Sequence, residues 1–157
     1  MTDIKNSSWH RALYTGFAVL VGALALSLSA GASNTSIRAA VDTGSRTIGA
    51  DARSVSLAAK GRHPRRMTSS ALRFRRDALH ARTAISVQRP SSPNGQKARK
   101  LALTAFAGYA SAGSHWAAVG RARVRHQRAL ASRNARAATA AATAGNHVLV
   151  AVARLLR

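Results

Sequence analysis

The sequence predicts an all-α protein, a small Ala-rich helical hairpin or three-helix bundle behind an N-terminal signal helix and a poorly ordered basic linker. Three observations support this fold class. Apolar residues recur at intervals of three and four over 68–88 and over 96–157, which is the spacing of one helix face. No Pro occurs after residue 93. A Pro/Gly-rich linker over 89–95 separates the two helical regions.

The N-terminal segment has the order of an export signal. Two basic residues come first, then an uncharged run, then small residues at the expected cut: Lys5 and Arg11, 12–32, and Ala30 with Ala32. We therefore predict a signal peptide over 1–32, cleaved after Ala32 so that Ser33 becomes the N-terminus. The alternative is an uncleaved signal anchor, because the uncharged run is just long enough to span a bilayer.

The segment after the signal is rich in Ser, Thr, Gly and Arg, and we predict a flexible basic linker with a weak helix over 33–67. A helical apolar stripe is present: Ile37, Val41, Ile48 and Val55. However, Gly44 and Gly49 fall within this stripe and lower its helix propensity. The end of the segment, 60–66, is expected to be an exposed linker, because Pro64 and the crowded cations oppose a helix.

The next segment predicts a basic amphipathic helix over 68–88, capped by Thr68 or Ser69. Its apolar stripe is regular: Ala71, Phe74, Ala78, Ala81 and Ile85. We expect this stripe to pack on the rest of the protein. The alternative is that the helix lies on an anionic membrane.

The C-terminal region predicts a helical hairpin over 96–157. We place its bend between Gly120 and Asn134, with a second interruption at Gly145 and Asn146. Small residues recur every four positions at Ala137, Ala141 and Gly145, a pattern that permits close helix–helix approach or self-association. The hairpin also contains Tyr109 and Trp116 on one helix face; we expect core anchors, the alternative being stacking on a sugar or base.

The motifs of catalysis and of cofactor or metal binding are missing from the sequence. It contains no Cys and no Glu, and its six His form no His-x-x-x-His pair. No phosphate-binding Gly-rich loop occurs, and the closest match to a nucleophile motif, 108–113, has one residue too many. The weak metal hint of His115 with His126 is better explained by solvated histidines. We expect no enzyme activity, no cofactor and no metal.

The charge of the chain gives the strongest functional expectation. Residues 33–157 carry 23 Lys and Arg against 3 Asp, a net charge of +20. Because carboxylates are so few, we expect the Arg side chains to recruit anions from outside the chain. Ten Arg in three clusters are the candidate polyanion contacts: Arg62, Arg65, Arg66, Arg73, Arg75, Arg76, Arg121, Arg123, Arg125 and Arg128.

Signal and charge together predict a secreted or cell-envelope protein that is non-enzymatic and helical. Its expected partner is an anionic polymer, a lipid surface or an acidic protein. The alternatives are a nucleic-acid-binding basic protein and an envelope protein anchored by residues 12–32. Two further alternatives are a mature protein that begins near Gln96 and membrane disruption by the basic helices.

Overall fold

The computed structural model describes residues 34–157, which form four α-helices. They are α1 (Thr35–Lys60), α2 (Pro64–Ser86), α3 (Pro93–Val124) and α4 (Arg128–Leu155). The all-α prediction is confirmed, with four helices in this range and no strand. The predicted signal peptide over 1–32, with Ala30, Ala32 and the new N-terminus Ser33, lies outside the described residues.

The helices pack in chain order, each antiparallel to the one before it. Helix α2 packs between α1 and α3, and α3 packs between α2 and α4, while α1 touches α3 only slightly. Short turns join successive helices, which forces this up-and-down arrangement. As a result the α1–α2 turn (61–63) and the α3–α4 turn (125–127) lie at the same end of the bundle. We call this the paired-turn end.

The core depends on one cluster of aromatic rings, since Ala supplies much of the remaining buried surface. Phe74 of α2 packs edge-on against Trp116 of α3, with ring centroids 5.2 Å apart, and against Tyr109 at 6.2 Å. Phe106 packs against Tyr109 at 5.7 Å. All four rings are buried. The prediction that Tyr109 and Trp116 are core anchors is confirmed.

The prediction of a flexible linker over 33–67 is wrong, because α1 is a continuous helix of 26 residues. Its predicted apolar stripe is buried throughout. Gly44 lowers the local helix propensity but allows α1 to approach its neighbours closely. A Cβ at Gly44 would lie 2.8 Å from Ala81 Cβ and from the ring of Phe106. Packing against α2 and α3 therefore stabilises a helix that propensity alone disfavours.

The expected linker over 60–66 is also mostly helical. Helix α2 begins at Pro64, and only 61–63 lie between the two helices. Pro suits the first helical position, because its missing N–H has no helical acceptor there in any case. The N-cap is consequently His63, and neither Thr68 nor Ser69 caps this helix. The apolar stripe predicted for 68–88 is buried along its whole length, as expected for a packing helix.

The predicted break over 89–95 is partly helical. Ser92 is the N-cap of α3: its hydroxyl oxygen accepts a hydrogen bond from Gly95 N at 3.0 Å. The same hydroxyl donates to Asn34 Oδ1 at 2.7 Å, which joins the start of α1 to the α2–α3 turn. Helix α3 therefore begins at Pro93, inside the expected linker.

The predicted hairpin over 96–157 is present, with its bend at 125–127. The second interruption, expected at Gly145 and Asn146, is wrong, because α4 continues through both residues. A Cβ at Gly145 would lie 3.1 Å from Ala105 O, so the glycine permits close contact with α3. Asn146 Oδ1 accepts a short hydrogen bond from the Tyr109 hydroxyl. Both residues hold α4 against α3.

The small-residue stripe of α4 is turned slightly from its expected position. Its fully buried members are Ala138, Ala142 and Gly145, whereas Ala137 is only half-buried. The backbone oxygen of Ala141 would lie 3.3 Å from a Cβ at Gly108 of α3. The predicted close approach of two helices therefore occurs, and it joins α4 to α3 within one chain.

Candidate functional site

The first turn of the paired-turn end places Arg62 in the left-handed backbone region, with φ of 54°. The N–H of His63 donates to Ala58 O at 3.0 Å, and the N–H of Arg62 donates to Ala59 O at 3.3 Å. This pair of bonds is the Schellman motif, in which Gly normally takes the left-handed position. Although Gly61 is the preceding residue, Arg62 occupies that position.

The second turn repeats this geometry. His126 has φ of 56°, Gln127 N donates to Ala122 O at 2.9 Å, and His126 N donates to Arg123 O at 3.1 Å. His126 therefore corresponds to Arg62. No glycine in the described part of the chain has a positive φ, so the two left-handed residues of 34–157 are both basic side-chain types and both lie at this end.

Seven of the ten candidate polyanion contacts meet at the paired-turn end, although they come from two distant parts of the sequence. They are Arg62, Arg65, Arg66, Arg121, Arg123, Arg125 and Arg128. All are exposed except Arg123, which is half-buried. The acidic residues of the described range, Asp42, Asp51 and Asp77, lie ten or more residues from either turn. The end is therefore cationic without local compensation.

Two adjoining clefts lie between the start of α2 and the end of α3. The larger has a volume of about 620 Å³ and is lined by His63, Pro64, Arg65, Arg66, Arg123, Val124 and His126. The smaller has a volume of about 300 Å³ and is lined by Arg65, Thr68, Arg121, Val124 and Arg125. Arg65 and Val124 line both clefts. His63, Thr68, Val124 and His126 also line the clefts, and no sequence pattern assigns them there, because their position depends on how the two turns meet.

The positive potential at this end comes from side chains and not from the backbone. Helices α2 and α4 begin here, and neither has a side-chain N-cap bond or an acidic residue in its first turn. Because α1 and α3 end here, the partial positive charge of two helix N-termini is largely offset by the partial negative charge of two C-termini. Burial lowers the pKa of the Arg123 guanidinium below its ordinary value. An anion in the cleft would offset that desolvation of the charged form.

The other three candidate contacts lie along α2, away from this end, and two of them are paired internally. Arg73 Nε donates to Asp51 Oδ1 at 2.8 Å, and Arg76 Nε donates to Asp77 Oδ1 at 2.9 Å. The expectation that Arg lacks internal partners is wrong at these two positions. Arg75 is exposed and has no acidic partner within hydrogen-bonding distance among the described residues.

Asp51 and Asp77 form a carboxyl pair between α1 and α2. Burial raises the pKa of Asp51, the neighbouring Asp77 carboxyl raises it further, and Arg73 offsets only part of the increase. For Asp77, burial acts to raise the pKa, but the hydrogen bond from Arg76 and the neighbouring Asp51 carboxyl outweigh it and hold the pKa below its ordinary value. Asp51 is therefore the member of the pair whose charged form folding disfavours, and its Oδ2 atom is buried without a hydrogen-bond partner among the described residues.

We expect Asp51→Asn to raise the free energy of unfolding at pH 7. Because folding raises the pKa of Asp51, its stabilising contribution is complete below the unfolded pKa and is lost as the pH rises through the folded pKa. Asn mimics the protonated carboxyl at every pH, so the difference between variant and parent should close as the pH falls. Urea unfolding of both proteins at about pH 7, 5 and 3 measures this difference in the free energy of unfolding.

Asp77→Asn is the matched control and should change stability in the opposite direction. Its lowered pKa stabilises the fold above the unfolded value, and this contribution is lost as the pH falls. The variant should be less stable than the parent at pH 7, with the difference shrinking in acid. Equal effects of both substitutions would contradict the opposite pKa shifts of the two carboxyls.

The remaining groups named from the sequence are separated or used in packing. His115 Nδ1 lies 3.4 Å from Asn134 Oδ1, whereas His126 lies in the exposed turn. Within 34–157 no three potential metal ligands come together. In the segment 108–113, Gly113 packs against α2 and Ser111 is exposed in mid-helix. None of the described helices is long and apolar enough to cross a membrane.

Comparison of the chain with protein-family models, with curated proteins and with solved structures finds no match. The candidate site is therefore defined by its own geometry. That geometry describes a small helical bundle in which seven of the 23 Lys and Arg of the described residues meet at one end, beside two clefts.

Proposed function

We propose that this is an exported, non-enzymatic helical protein that binds an anionic component of the cell envelope through its paired-turn end. The observation that carries the proposal is the meeting of seven Arg from two distant segments at an end that contains no carboxylate among the described residues. Guanidinium groups keep their charge at physiological pH and match carboxylate and phosphate oxygens. An external anion is the partner that this chemistry fits.

The backbone at Arg62 and His126 supports the proposal. Gly adopts the left-handed region without steric cost, whereas other L-residues lose about 1 kcal/mol there. At both turns the left-handed position, which Gly would occupy at lower cost, holds a side chain with an N–H donor, Arg62 or His126. Strained backbone of this kind is commonly retained at functional sites.

The start of the helical bundle just after the predicted signal peptide supports export. Helix α1 begins at Thr35, two residues beyond the predicted new N-terminus Ser33. Among the described residues, the hydrophobic core cluster runs from Ile37 to Leu156. Cleavage after Ala32 would therefore release a segment that carries its own core.

The test compares two four-residue Arg→Gln variants of the segment 33–157 in binding to isolated cell envelopes. The end variant changes Arg62, Arg65, Arg66 and Arg125. The matched control removes the same charge from exposed positions elsewhere and changes Arg46, Arg82, Arg89 and Arg154. At roughly 1 kcal/mol per cation near an anionic surface, the end variant should lose about a hundredfold or more in affinity. The control should stay within about threefold.

Salt provides the second readout. Binding through exposed charges should weaken strongly between about 50 and 500 mM NaCl, because the Debye length shortens. Equal losses for the two variants would show that diffuse charge binds the envelope and would reject the site. Binding unchanged by salt would reject an electrostatic function altogether.

Nucleic-acid binding is the second candidate, favoured by the guanidinium groups that line both clefts. The four aromatic rings of 34–157 are buried in the core, so base stacking, which is typical of single-strand binding, is not available to this part of the chain. Contact would be limited to phosphates and independent of sequence. A gel-shift titration with no shift at low salt would exclude this candidate.

A further inference from the structure

We infer that the anionic component is the headgroup surface of a phospholipid bilayer, which the protein contacts with its paired-turn end. This inference rests on the proposed function and names the partner of the same site. The juxtaposition that carries it is a pair of exposed apolar side chains within the cationic end.

The exposed apolar side chains beside the Arg of α2, α3 and α4 are Val124 and Leu130, each 43% exposed. Leu57, in the last turn of α1 at the same end, is 69% exposed. Val124 lines both clefts beside Arg65, and Leu130 lies in the first turn of α4, two residues after Arg128. A hydrated polyanion would pair with the cations but leave these side chains in water. The interface of a bilayer accepts both, because phosphates lie next to the acyl region.

The direction of the α2 and α4 side chains suits a flat surface at this end. Cα–Cβ bonds tilt toward the N-terminus of a helix. Helices α2 and α4 begin at the paired-turn end, so Arg65, Arg66, Arg128 and Leu130 are tilted toward it and away from the body of the bundle. Cations and an apolar group are thus presented in the same direction.

The length of the bundle favours end-on contact. Helix α3 has 32 residues, which corresponds to about 48 Å at 1.5 Å per residue. Because screening limits charge interactions to about 10 Å at moderate salt, cations at the opposite end contribute little to such a contact. The seven Arg at the paired-turn end would supply nearly all of the attraction. The larger cleft, lined by Arg65, Arg66 and Arg123, offers a place for one phosphate group.

The experiment measures binding of the segment 33–157 to three probes: vesicles of equal parts phosphatidylglycerol and phosphatidylcholine, vesicles of phosphatidylcholine alone, and soluble polyphosphate. The apolar variant is Val124→Ser/Leu130→Ser. Its matched control is Val87→Ser/Val150→Ser, which removes exposed apolar side chains outside this end. Helical circular dichroism of every variant is checked first.

We expect salt-sensitive binding to the anionic vesicles and none to phosphatidylcholine alone. The apolar variant should lose roughly tenfold in affinity for anionic vesicles, since two partly exposed apolar side chains no longer enter the interface. Its affinity for polyphosphate should be unchanged, and the control should match the parent with every probe.

Three results would overturn the inference. Binding to polyphosphate without binding to vesicles would leave the proposed function intact and exclude the bilayer as partner. Equal vesicle affinity of the apolar variant and the parent would show that charge alone makes the contact. Failure to bind any of the three probes would reject both the inference and the proposed function.

Discussion

Replacing Phe74 by Ala is expected to lower the free energy of unfolding by about 3–5 kcal/mol, the usual cost of truncating a buried aromatic side chain. Phe74 is fully buried and contacts two of the other three rings of the core cluster, Tyr109 and Trp116. Since Ala supplies much of the remaining core, few large side chains are present to fill the cavity. Small domains have only about 5–15 kcal/mol of stability in total, so partial unfolding at room temperature is an expected result.

Urea or thermal unfolding followed by circular dichroism measures this effect. Leu72→Ala is the control on the same helix, because Leu72 is 46% exposed and its truncation should cost little. Phe74→Leu should fall between the two. A loss no greater for Phe74→Ala than for Leu72→Ala would contradict the central role of the aromatic cluster.

Gly113→Ala is expected to destabilise the protein by about 1–3 kcal/mol, because it overpacks the contact between α2 and α3. A Cβ at this position would lie 2.8 Å from Arg75 Cβ, 2.9 Å from Arg75 N and 3.0 Å from Ala71 O. Two of these atoms belong to the backbone of α2, so a side-chain rotation cannot relieve the clash. The two helices would have to separate.

The matched control is Gly49→Ala in α1, where no described atom outside the adjoining helix backbone lies within 4 Å of the added Cβ. This change should stabilise the protein by about 0.5–1 kcal/mol, since Ala has the higher helix propensity. Chemical denaturation of the two variants side by side tests the prediction. If Gly113→Ala also stabilises the fold, the close approach of α2 and α3 is not present in solution.

The helices were predictable from local pattern where apolar spacing and propensity agree, and not where they disagree. The stripe of α2 was found from its spacing and is buried as expected. In α1 the same kind of stripe was undervalued because of Gly44, whose role depends on Phe106, 62 positions later in the chain. Likewise, the Tyr109 hydroxyl bonds to Asn146 across 37 positions. No local pattern contains such partners.

The sequence predicts which Arg clusters the candidate site could use, but not which of them meet in the folded chain. The Arg clusters are visible in the sequence, and two of them lie at one end of the bundle because the chain reverses direction at Arg62 and His126. Both left-handed residues are non-glycine, so the usual sequence sign of such a turn is missing. The pairing of Arg73 with Asp51 spans 22 positions, so local sequence does not reveal that this member of the remaining cluster, Arg73, Arg75 and Arg76, has an internal partner.

The serial order of packing has a consequence for how the bundle opens. Helix α1 rests mainly on α2, and α4 rests mainly on α3. Each outer helix can therefore detach mainly by breaking one interface, while the hairpin of α2 and α3 keeps the contacts of Phe74 with Tyr109 and Trp116. Local opening is expected to begin with an outer helix and to reach the central hairpin last. The walls of both clefts come chiefly from α2 and α3, so they belong to the most persistent unit of the fold.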